Sequence, residues 1–84
     1  MNEDQVSDFL CNYLLKHGRL KDEQKDVVVT QNLFRNKVLD SFGFVDLILM
    51  VEKEFEVNLD LSSFEEEINQ TIQGLAKLIV EKMA

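Results

Sequence analysis

The chain has 84 residues, 45% of them hydrophobic, and its nine basic and sixteen acidic side chains give a formal net charge of −7. That length suits one small domain with one core, expected to span residues 1–84. The acidic balance argues against a nucleic-acid binder, which needs clustered Lys and Arg for phosphate contacts, and favours meeting basic patches on other proteins.

Cys11 is the lone cysteine, so no internal disulfide ties the fold to an oxidising compartment. No apolar run approaches about 18 residues, as a membrane-spanning helix would need. The opening Met1-Asn2-Glu3-Asp4 is acidic, unlike a secretory signal. The expectation is a cytoplasmic protein without membrane insertion.

In chain order, Asn2 caps a first helix, with Gln5 placed to complete a capping box. Val6, Phe9, Leu10, Tyr13 and Leu14 repeat at helical spacing and form a buried stripe. Lys16 and His17 suit the negative end, and Gly18 is a left-handed stop. Residues 19–40 read as a long loop. Within it Val27-Val28-Val29, Leu33, Phe34, Val38 and Leu39 lay apolar side chains over the helix ends.

Asp40 and Ser41 sit at the next helix start, where either side chain accepts from orphan first-turn amides. Phe42, Val45, Ile48, Val51 and Phe55 then fall on one stripe, widened by Leu47. Asp46, Lys53 and Glu54 face water. Phe44, Leu49 and Met50 do not all fit the stripe, so some apolar surface stays exposed.

Glu56 to Leu61 alternates polar and apolar, as an extended connector does. Ser62 with Glu65, and Ser63 with Glu66, offer overlapping capping boxes for a short third helix. Thr71 caps a last helix with the stripe Ile72, Leu75, Leu78, Ile79 and Met83, within which Gly74 costs roughly 1 kcal/mol relative to Ala. The elements add up to an all-α four-helix bundle with a long first loop and a short third helix.

Asp40-Ser41-Phe42, followed by Val45-Asp46-Leu47 and Val51-Glu52-Lys53-Glu54-Phe55, resembles the acyl carrier protein signature. Thr30 to Phe34 resembles the segment before the family's serine, and Thr71 to Ala76 the opening of its last helix. The resemblance implies the acyl-carrier fold, with 4′-phosphopantetheine from coenzyme A attached at Ser41 beside Asp40. An acyl or aminoacyl unit would ride on that arm as a thioester, in fatty acid, polyketide or related biosynthesis.

It further implies recognition by partner enzymes through Phe42, Asp46, Leu49, Glu52 and Glu54. Those partners are a phosphopantetheinyl transferase and the enzymes that load, condense and transfer the cargo, acting on a monomeric carrier. Gly43 stands where fatty-acid carriers show an acidic residue, Lys53 interrupts the acidic run, and Phe44 is bulkier than usual. Asp-Ser-Phe-Gly together with Leu-Ser-Ser-Phe-Glu is nearer to D-alanyl and specialised stand-alone carriers.

Catalysis by the chain itself finds no support in the residues. The single histidine, His17, ends a different helix, and Asp40 is acceptor-only when ionised, so Ser41 lacks an activating base. Asn58, Asp60 and Ser62 alternate like a calcium loop, but Ser63 and Asn69 stand where Gly and a bidentate Glu are needed. Cys11 and His17 lack further zinc ligands, and no metal is expected. The competing reading is an unmodified acidic helical module that binds a basic partner through the same helix.

Overall fold

The computed structural model describes residues 2–21 and 29–83. Helix α1 runs Glu3–Lys16, α2 Ser41–Phe55 and α3 Ile72–Met83, with two 3-10 turns at Leu61–Glu65 and Glu67–Gln70. The first helix starts as its sequence dictates. The Asn2 side chain accepts from the Gln5 amide at 2.8 Å, and the Gln5 side chain accepts from the Asn2 amide at 3.0 Å. Gly18 ends the helix at φ 71°, and the Arg19 amide donates back to the Leu14 carbonyl at 2.8 Å.

Val6, Leu10, Cys11 and Leu14 are buried on α1, and the helix packs against α3 through Ile72, Leu75, Ala76 and Ile79. The long loop is pinned as its apolar residues require. Leu20, Leu33, Val38 and Leu39 are buried and Phe34 is half-buried. Val29 packs against the same core, whereas Val27 and Val28 lie outside the described residues. Backbone bonds from Leu33 to the Gln70 carbonyl and from Gln73 to the Val29 carbonyl, each 2.9 Å, tie the loop to the approach to α3.

The count of four helices is not met. Among the described residues there are three α-helices, and the expected third helix is a pair of 3-10 turns. Asp60, instead of a serine, caps the first turn by accepting from the Ser62 amide at 3.0 Å. The connector before it alternates as expected: Val57 and Leu59 are buried, Asn58 and Asp60 exposed.

The stripe assigned to α2 needs correction in phase. Phe42 is 83% exposed and Val45 52%, while Phe44, Leu47, Ile48 and Val51 are buried. The cause is Phe44, whose ring packs 4.9 Å from Phe34 and 5.1 Å from Phe64 between centroids, turning that side of the helix inwards. On α3 the stripe holds except at its end, where Met83 is 40% exposed.

Gly74 is required for space. A Cβ there would lie 1.9 Å from the Ile68 carbonyl oxygen, so the second 3-10 turn rests directly on the α3 backbone. Thr71 completes the junction: its hydroxyl donates to the Ile68 carbonyl at 2.7 Å and accepts from the Gly74 amide at 2.9 Å.

Two stability predictions follow from these junctions. Gly74→Ala should lower stability by roughly 1–3 kcal/mol in urea unfolding despite alanine's better helix propensity, because backbone must move to admit the methyl. Asp60 is held below its ordinary 3.8 chiefly by the Ser62 amide, with the Ser62 hydroxyl adding to it. A lowered folded pKa means that this cap's contribution is complete above the unfolded value and disappears as pH falls through the folded one. The stability gap between wild type and Asp60→Ala should therefore be widest near neutrality and close in strong acid.

Candidate functional site

The start of α2 is built by one carboxylate. Asp40 is extended, at φ −95° and ψ −178°, and its Oδ1 accepts from the Gly43 amide at 2.7 Å. Its carbonyl takes the Phe44 amide at 2.9 Å as the first bond of the helix. Val38 and Leu39 are buried immediately before it, so the chain enters the helix from a fixed direction. Ser41 therefore occupies the first helical position, and it is exposed.

The amides of Ser41 and Phe42 have no acceptor within the helix, and they sit at its positive end. An exposed hydroxyl there fits a phosphodiester, which would meet outward amides and the favourable end of the helix dipole. The Arg19 guanidinium stands 3.9 Å from Asp40 Oδ1, a half-exposed pair of small energetic weight. Gly43 makes room for it, since a Cβ there would come within 3.0 Å of the Arg19 Nη1. Arg19 at this helix start was not legible in the chain order; the left-handed turn at Gly18 that sends the chain back is the one local clue.

The residues expected to meet partners separate into two groups. Phe42, Asp46 and Leu49 share one outward side of α2 and are exposed, Phe42 at 83% and Leu49 at 59%. Val45, which the helical period had assigned to the core, joins them. Glu54 is exposed on the flank of that side. Glu52 is half-buried, and its Oε2 accepts from the Leu59 amide at 3.0 Å, so its carboxylate holds the connector against α2.

On the Ser41 side of α2 a groove of about 310 Å³ runs between Val45, Ile48, Leu49 and Glu52 on the helix and Leu59 on the connector, with Phe44 at its inner wall. Val45, Ile48 and Glu52 follow Ser41 at steps of four, three and four residues, so the groove descends along the helix from the serine. A smaller cavity of about 140 Å³ lies on the other side, between His17, Arg19, Gly43 and Asp46. Among the described residues no group of three or more acidic, His or Cys side chains is placed to hold a metal ion.

A protein-family model described as a phosphopantetheine attachment site matches residues 17–79. The chain is also similar to a D-alanyl carrier protein of Streptococcus uberis, 34% identical over 64 residues that cover 71% of this chain and 81% of the relative. No solved structure matches the chain.

The cap yields a direct prediction. Asp40→Ala should cost about 1 kcal/mol of stability in chemical denaturation, and Asp40→Asn should retain most of it, because Asn caps as well as Asp.

Proposed function

The chain belongs to the family of proteins with a phosphopantetheine attachment site, and from that premise we propose that Ser41 is the residue that receives the arm. The family is one of carriers, which hold a 4′-phosphopantetheine group covalently and are handled by a phosphopantetheinyl transferase and by acyl-handling enzymes, with no catalysis of their own. The observation that carries the assignment to Ser41 is its exposure at the capped first position of α2, inside the matched span. In the attachment step the Ser41 oxygen forms a new bond to phosphorus, and the adenosine bisphosphate half of coenzyme A leaves. The serine proton passes to a base on the transferase, which accounts for the lack of one beside Ser41.

When attached, the arm supplies a terminal thiol on which cargo is held as a thioester. We take the cargo to be an aminoacyl or other short acyl unit, in keeping with the D-alanyl relative and with an interior filled by Phe34, Phe44 and Phe64. Residues 1–84 then form one carrier domain, in which the 3-10 pair stands in place of the carrier fold's short third helix. The protein works as a cytoplasmic monomer; no helix among the described residues is long and apolar enough to cross a membrane. Partner enzymes dock on Phe42, Val45 and Leu49, with Asp46 and Glu54 steering them electrostatically. Glu52 supports that surface from behind through the Leu59 amide.

Incubation with coenzyme A, magnesium and a broad-specificity transferase should add one arm to the intact mass, and Ser41→Ala should abolish the addition. An unchanged mass on folded wild-type protein would sink the carrier assignment and leave the unmodified interaction module. Paired reversal of Asp46→Lys and Glu54→Lys should slow loading by the transferase, most strongly at low salt. Equal rates at all salt concentrations would remove these two carboxylates from the docking surface. Glu52 is left intact in that test because its reversal would also disturb the connector.

A further inference from the structure

We propose that Phe44 sets the size limit of the cargo, by closing the groove below Ser41 off from the interior of the bundle. The proposal rests on Ser41 being the attachment point. The groove begins one helical turn after the serine, at Val45, descends along Ile48 and Glu52, and is walled on its far side by Leu59, whose amide the Glu52 carboxylate holds. Its inner wall is the Phe44 ring, 6% exposed. Phe34, tilted at 4.9 Å, and Phe64, edge-on at 5.1 Å, pack against that ring without lining the groove themselves.

The three rings therefore occupy the space into which an apolar chain entering from the groove would have to extend. A short unit fits in the groove without displacing anything. A longer chain has to remain against solvent or push apart an interlocked aromatic stack, and interiors packed to crystal-like density resist that. Removing the Phe44 ring changes the balance. A large-to-small substitution in a core leaves an apolar void, and such voids, at about 150 Å³, stay dry and accept apolar ligands of matching size. Here the void would open directly into the groove, within reach of the tethered cargo.

The same three rings explain a sequence feature that the attachment chemistry does not need. Ser41 requires a cap and exposure, both supplied by Asp40, and a small residue at position 44 would preserve them. An aromatic residue at this position instead selects among cargoes.

The test loads wild type, Phe44→Ala and Phe44→Leu with pantetheine alone or with octanoyl-pantetheine, using the matching coenzyme A derivatives. Thermal unfolding and amide NMR shifts are then recorded. Octanoylation of wild type should leave the unfolding temperature and the Leu33 and Phe64 amides where they are with the bare arm. Phe44→Ala should unfold at a lower temperature than wild type with the bare arm, recover part of that loss when octanoylated, and show shifts at Leu33 and Phe64. Phe44→Leu, which keeps a packed core, should show the same signs at smaller size and serves if the alanine variant does not fold.

Stabilisation of octanoylated wild type with shifts at those interior amides would overturn the proposal. So would a folded variant that gains nothing from the octanoyl chain. Failure of wild type to take up any arm would appear separately, as an unchanged mass, and would overturn the attachment reading on which the proposal stands.

Discussion

The packing of Phe44 between Phe34 and Phe64 fixes the rotation of α2, and most of what the protein presents to its surroundings follows from that rotation. With Phe44, Leu47, Ile48 and Val51 turned inwards, helical geometry places Phe42, Val45 and Leu49 outside. Exposing three large apolar side chains on one helix carries a solvation cost that α2 could reduce by rotating. The aromatic contacts and the burial of Leu47 and Val51 outweigh it. These three apolar side chains are thus held at the surface by the core, where they form the docking side proposed above.

A second constraint sets where the helix begins. Asp40 caps Gly43 with its own backbone extended, directly after the buried Val38 and Leu39. Rotation and start together place Ser41 at the first helical position, exposed to solvent one turn before the groove. On the proposed assignment, function requires only a hydroxyl, an outward-facing helix end and a surface that other enzymes recognise. Chemistry is delegated to those enzymes, in keeping with a carrier family.

Much of this was legible from the chain, and the failures have specific causes. Helix α1 was readable in full because its apolar residues lie on one side and its cap is local: Asn2 and Gln5 are three residues apart. Asp40 and Ser41 were readable for the same reason. The phase of α2 was not, because apolar residues fill every position from 42 to 51 except Gly43 and Asp46, and several rotations satisfy a three-to-four spacing. The tie is broken by Phe34 and Phe64, ten residues before and twenty after Phe44, which no periodicity within the helix can register.

Gly74 was seen as a small local penalty. Its reason, an Ile68 carbonyl oxygen resting on the helix, lies in the tertiary approach of two elements. The segment after Asp60 showed correct start signals for the wrong helix type. Serines and glutamates at capping-box spacing suggested an α-turn, whereas the Asp60 carboxylate and the demand that Gln70 reach back to Leu33 settle the chain into two 3-10 turns.

The most direct measurement is fragmentation mass spectrometry of the arm-bearing protein, which assigns the modified residue instead of counting additions. The account predicts the phosphopantetheine on Ser41 and on no other serine. Its appearance on Ser62 or Ser63, which lie within the 3-10 turn that Asp60 caps, would contradict the claim that the Asp40 cap and the rotation of α2 create the attachment site.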